Sequence, residues 1–72
     1  MMDLGSNIYH LRVKNEMSQE QLASRLNVSR QTIYKWECNL AIPRADHIMM
    51  LVHVFKISYD ELFVGLEIDM DE

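Results

Sequence analysis

Apolar residues Leu4, Ile8 and Leu11 recur at i, i+4 and i+7, one face of a helix, and predict a first helix from about Asp3 to Asn15. Ser18 followed three residues later by Gln21 is a capping-box pattern, so a second helix opens there, with Leu22, Ala23 and Leu26 as its inner stripe. Asn27 stands where that helix must stop, and asparagine tolerates the left-handed backbone of such a stop. Val28 is a buried hinge candidate, and Ser29 caps a third helix whose inward residues are Ile33 and Trp36. Asn39 repeats the asparagine stop, and Pro43 is placed to begin a fourth helix running from roughly Arg44 to Phe55. Ile48, Leu51, Val52 and Phe55 give that helix its apolar face. Ser58 with Glu61 is a second capping box and opens a short fifth helix through Leu62 and Phe63. After Gly65 the alternation of Leu66, Glu67, Ile68, Asp69, Met70 and Asp71 has the period of a strand. The pattern predicts an all-α protein: a compact five-helix bundle over residues 1–65, followed by a short acidic C-terminal tail, 66–72.

Length leaves room for this single small domain among the 72 residues. A chain so short buries only about 60% of its unfolded surface, so it must pack efficiently or dimerise. The 49% apolar content is enough for a core. One cysteine, Cys38, cannot staple the fold, which fits a reducing compartment. The opening "MMDLGSNIYH" has no basic segment leading into an apolar one, and no apolar run reaches membrane-spanning length, so a cytoplasmic protein is expected.

The net charge of -4 argues against a polyanionic partner until its distribution is considered. All 7 Lys and Arg lie in residues 1–56 against 5 acids, a surplus of +2, whereas residues 57–72 carry 6 acids and no base. A partner meets a local surface and not the total, so the basic part of the chain can still face nucleic acid.

Two consecutive helices joined by a tight turn are the geometry of a helix-turn-helix, here over about residues 18–37. The segment "MSQEQLASRLNVSRQTIYKWE" resembles that motif in the phage repressor and Cro-like (XRE) family of transcriptional regulators, through Ser18-Gln19, Leu22-Ala23, Leu26, Val28-Ser29, Ile33 and Trp36-Glu37. "NIYHLR" is similar to the family's first helix and "IPRADHIMMLVHVFKISYDELF" to its fourth and fifth, so the likeness spans roughly 3–63. It implies a lambda-repressor-like DNA-binding domain. The family usually has glycine where Asn27 and Asn39 stand, and a polar residue where Cys38 stands; the tail after Gly65 lies outside the shared domain.

In this motif the second helix lies in the major groove with its N-terminal residues toward base edges. With Ile33 and Trp36 inward, Arg30, Gln31, Tyr34 and Lys35 face out. Arg30 can donate twice to guanine O6 and N7, and Gln31 can pair with adenine N6 and N7. The resemblance places base contacts on Arg30, Gln31 and Lys35, with Tyr34 as a further candidate for a thymine methyl or a phosphate. Phosphate contacts are expected from Gln19, Ser29 and Arg44, all at helix starts, where free N–H groups favour an anion. The family also pairs an arginine after the first helix's leucine with a glutamate after the reader's last core residue, which implies a structural ion pair between Arg12 and Glu37.

Other chemistry finds little footing. His10, His47 and His53 have no metal-ligand spacing, Cys38 has no partner, and the Met49-Met50 pair reads as core filler or interface. With 2 glycines, no phosphate loop and no nucleophile–base pair, the chain is not expected to be an enzyme, and neither a cofactor nor a small-molecule ligand is expected. The reading is a sequence-specific double-stranded-DNA-binding regulator, a repressor occupying a two-fold operator as a homodimer, with half-sites about 34 Å apart. The tail is either a dimerisation strand or a disordered acidic terminus, and helix five with the exposed part of helix four is the alternative dimer face. The alternative is an antitoxin or protein-binding adaptor that retains the fold.

Overall fold

The computed structural model describes residues 3–66. Five helices follow one another: α1 (Leu4–Lys14), α2 (Gln19–Leu26), α3 (Arg30–Glu37), α4 (Ala45–Phe55) and α5 (Tyr59–Leu62). The all-α class and the order of helices agree with the sequence pattern. The strand-like alternation over 66–71 lies outside the described residues except for Leu66, which is irregular.

Helix starts are written locally. Asp3, Ser18, Ser29 and Ser58 each accept a hydrogen bond from the N–H three residues on, at 2.7 Å for Ser6, 3.0 Å for Gln21, 3.2 Å for Thr32 and 3.1 Å for Glu61. Both capping boxes close, with the Ser18 and Ser58 N–H groups donating to Gln21 and Glu61 Oε1 at 2.8 Å each. Helix α4 differs. Pro43 is not its first helical residue: it is buried, one position before the N-cap, which is Arg44 with no side-chain cap bond. Pro43 and the half-buried Ile48 hold the two positions a hydrophobic staple uses, so the proline ring directs the chain into α4 from outside it.

The ends of α1 to α4 share one device. Glu16, Asn27, Asn39 and Lys56 all adopt left-handed backbone, with φ between 57° and 60°. The following N–H then reaches back six residues inclusive: Met17 to the Arg12 carbonyl, Val28 to Ala23, Leu40 to Lys35 and Ile57 to Val52, at 3.0, 3.0, 2.8 and 3.1 Å. Met17, Val28 and Ile57 pack their side chains on the core as this closure favours, while Leu40 is 69% exposed.

Ile8, Leu22, Leu26, Ile33, Leu51 and Leu62 are fully buried, and Ala23, Trp36, Val52 and Phe55 complete the core. Burying each large side chain contributes about 1.5–3 kcal/mol. Helix α3 packs on both α1 and α2, α4 packs on α2, and α5 closes against α1. Asn7 anchors that last contact from inside α1, its Nδ2 donating to the Leu62 and Val64 carbonyls at 2.9 Å each. Met49 and Met50 are 59% and 37% exposed, so the core-filler reading of the pair is corrected. Ile48, Leu51, Val52 and Phe55 occupy the inward arc of α4, and 100° per residue turns Met49 and Met50 away from it.

Candidate nucleic-acid interface

Helix α3 is fixed from beneath by Ile33 and Trp36, and Arg30, Gln31, Tyr34 and Lys35 are all exposed on its outer side. The turn before it is set by Asn27 (φ 59°, ψ 43°) and by Ser29, whose hydroxyl also lies 2.9 Å from Thr32 Oγ1. Ser29 Oγ is thus already engaged with its own helix, on an exposed residue.

Four of the singled-out residues form one hydrogen-bonded chain. Arg30 Nη1 donates to Gln19 Oε1 at 3.2 Å, and Gln19 Nε2 donates to Glu37 Oε1 at 3.0 Å. Glu37 is gripped in turn by Arg12, whose Nε donates to Oε2 at 2.6 Å and Nη2 to Oε1 at 3.1 Å. Arg12 Nη1 ends the chain on the Met17 carbonyl at 2.8 Å. The side chains of Arg12 and Glu37 are only 11% and 6% exposed, which makes this fork a partly buried, charge-assisted pair and not a surface ornament. Its hydrogen bond to Glu37 holds the Arg12 guanidinium above its already high ordinary pKa, against the opposing effect of burial. The Tyr9 ring covers the same guanidinium, 5.3 Å from centroid to carbon.

The remaining candidates stand apart from this chain. Cys38, one turn on, is the neighbour that raises the Tyr34 hydroxyl pKa above the ordinary tyrosine value. Arg44 is 76% exposed and its Nη2 donates to Asp46 Oδ2 at 3.1 Å. His47, the next residue, tilts its ring over Trp36 at 5.2 Å, so α4 touches the base of α3 through an aromatic contact.

Several supporting residues carry no local sequence signal. Gly5 meets the end of α3: a Cβ there would run into the Trp36 carbonyl oxygen and lie 2.7 Å from that of Glu37. Tyr9 joins the site only through the fold, and a glycine inside the first helix is the one hint that another backbone comes close.

A family model described as Helix-turn-helix (HTH_3) matches residues 8–62. The chain belongs to the helix-turn-helix family. The likeness to XRE regulators read over roughly residues 3–63 agrees with this. Among curated proteins, the HTH-type transcriptional activator BcrR of Enterococcus faecalis is 34% identical over 67 residues, 93% of this chain and 33% of BcrR. The chain therefore spans about a third of that relative's length.

Among solved structures, the P22 c2 repressor in complex with synthetic operator 9T is similar, with a TM-score of 0.83 and 26% identity over 92% of this chain and 100% of that one. A LexA SOS-response transcriptional repressor from Eubacterium rectale matches with a TM-score of 0.78 and 30% identity over 96% of this chain and 76% of that one. A transcriptional regulator from Listeria innocua shares the fold, with a TM-score of 0.81 and 21% identity over 97% of this chain and 65% of that one. Among the described residues no helix is long and apolar enough to cross a membrane, and no cluster of His, Cys, Asp and Glu is arranged to hold a metal.

Proposed function

We propose that this chain is a sequence-specific double-stranded-DNA-binding module of a transcriptional regulator, working in the cytoplasm and placing α3 in the major groove. The observation that carries this reading is the outward set Arg30, Gln31, Tyr34 and Lys35 on a helix whose first residue is braced by Gln19. Arg30 and Gln31 lie at the N-terminal end of α3, where this motif brings side chains to base edges. Arg30 pairs with a guanine edge, Gln31 with an adenine edge, and Lys35 one turn on reaches a base or a phosphate. Gln19, Ser29 and Arg44 hold the backbone phosphates on either side. The P22 c2 repressor's structure with a synthetic operator supports this use of the shared fold.

A module of this size supplies limited specific energy, so two copies on a two-fold operator are expected, with half-sites about 34 Å apart. The action proposed is repression by occupancy, which needs no surface beyond the reader. Activation needs a further contact with the transcription machinery; BcrR bears the name of an activator and is three times as long as the matched segment. Selection from random duplex DNA tests the core of the proposal. Enrichment of a two-fold sequence supports it, and failure to enrich any sequence overturns it. A reporter carrying the enriched site upstream or across a promoter then separates activation from repression.

A further inference from the structure

The two ends of the chain Arg30–Gln19–Glu37 have opposite and fixed hydrogen-bonding character. A guanidinium only donates and an ionised carboxylate only accepts, whereas the amide between them can do both, one from each end. One orientation of the Gln19 amide satisfies both neighbours: Nε2 toward Glu37 Oε1 at 3.0 Å and Oε1 toward Arg30 Nη1 at 3.2 Å. Turned over, it would set oxygen against carboxylate and N–H against guanidinium, losing both bonds. Glu37 itself has no freedom to adapt, since Arg12 grips both its oxygens and its side chain is 6% exposed.

From this geometry we infer that Glu37 is a positioning residue for base reading by Arg30, acting through the sense of the Gln19 amide and not by touching DNA. The inference rests on α3 being the reader, as proposed above. Arg30 is exposed, and an exposed arginine left alone spreads over many rotamers that must be given up on binding. Here one Nη1 hydrogen is spent on Gln19, which orients the guanidinium plane and leaves its other N–H donors for a guanine O6 and N7. The orientation is inherited from α1, because Arg12 holds Glu37 and is itself tied to the Met17 carbonyl. Specificity at one base step is therefore set by a buried ion pair that lies behind the reading face.

The test uses Glu37→Gln, Gln19→Ala and their double variant, with the whole chain. In the free protein, the Gln19 side-chain NH₂ signals report the relay by nuclear magnetic resonance without any DNA. They should be set apart from those of the other glutamines in the parent and collapse toward them in E37Q. On DNA, the base step lost in Arg30→Ala is located first, and preference is then measured there and at neighbouring steps. E37Q and Q19A should each lower preference at that step by on the order of five-fold, a part of the discrimination a bidentate arginine provides. Preference at the step read by Gln31 should stay as it is, and E37Q should add nothing in the Q19A background. An unchanged preference at the Arg30 step, an equal loss at every step, or an E37Q effect that persists without Gln19 each overturns the inference. If E37Q is unfolded at the assay temperature, Glu37→Asp replaces it: it keeps a charge for Arg12 but withdraws from Gln19 by one methylene, and the same loss is expected. If the parent enriches no DNA sequence, the proposed function fails, while the amide signals still decide whether the relay exists.

Discussion

The backbone N–H of Gly5 donates to Asn39 Oδ1 at 3.2 Å, tying the first turn of α1 to the closing turn of α3 across 34 positions of sequence. Asn39 therefore does two things that Asn27 does not combine: both adopt left-handed backbone, but only Asn39 latches another helix. Replacing Asn27 with glycine keeps the turn and forfeits no latch, so stability should be unchanged or slightly higher. The same change at Asn39 keeps the turn but loses the bond, and should cost about 0.5–1.5 kcal/mol. Denaturant midpoints of N27G and N39G measure the difference; equal stabilities would refute a latch.

Gly5 itself should tolerate nothing larger. Two of the atoms a Cβ would meet are the Trp36 and Glu37 carbonyl oxygens, which are backbone and cannot swing aside as the Asn39 side chain, the third, can. Gly5→Ala should therefore cost about 1–3 kcal/mol, the range for overpacking, despite alanine's better helix propensity. Thermal or urea unfolding of G5A checks this, and a variant as stable as the parent would show that α1 and α3 can separate freely.

Asp3 caps the same junction and gives it a pH dependence. The backbone N–H of Ser6 donates to its carboxylate at 2.7 Å and holds its pKa below the usual aspartate value, with the neighbouring Asn39 side chain acting in the same sense. A carboxyl depressed in the folded state contributes stability above its unfolded pKa of about 3.9 and loses it as pH falls through the folded value. Asp3→Asn retains a capping oxygen at every pH. Melting temperatures recorded from neutral pH down through that acid window should fall less steeply for D3N than for the parent.

Lys56 occupies the same left-handed backbone as the asparagines, with φ 57°, yet has neither glycine's freedom nor asparagine's local compensation. An ordinary L-residue there costs about 1–2 kcal/mol. The side chain is exposed, so Lys56→Gly should relieve that cost and lose no packing. A gain of about 1 kcal/mol is expected, larger than that of N27G, and unfolding by urea measures it.

What can be read from the sequence follows how far each determinant reaches along the chain. The serine caps at 18, 29 and 58 act over three residues, and each is in place because donor and acceptor lie within one turn. Asn27 and Asn39 are legible because their residue type favours the left-handed region. Glu16 and Lys56 make the same closure without that preference, so their backbone is imposed by the helices around them. Pro43 shows the limit of a positional rule: its ring suits both the first helical position and the one before the cap, and burial decides for the latter. Among the site residues, Arg30, Gln31, Tyr34 and Lys35 are exposed because Ile33 and Trp36 define the helix's inner side, a periodicity visible in the sequence. The Arg12–Glu37 link follows from the resemblance, but its continuation through Gln19 to Arg30 is not visible there, since it depends on the angle between α2 and α3.

Arg44 offers a measurement that separates phosphate contact from base reading. It is the N-cap of α4, is 76% exposed, and among the described residues is paired with the 59% exposed Asp46 at 3.1 Å. Such a surface pair contributes little to stability, so Arg44→Ala should leave unfolding within about 0.5 kcal/mol of the parent. If the guanidinium meets a phosphate in the complex, removing it weakens binding to all duplexes alike and reduces the salt slope of log K by about 1. Asp46 competes for the same donor and adds a negative charge beside it. Asp46→Asn should consequently act in the opposite sense, raising affinity most at low salt, where screening is weakest. Titrations of the parent, R44A and D46N across a salt series give both slopes. A salt slope unchanged in R44A would remove Arg44 from the proposed interface.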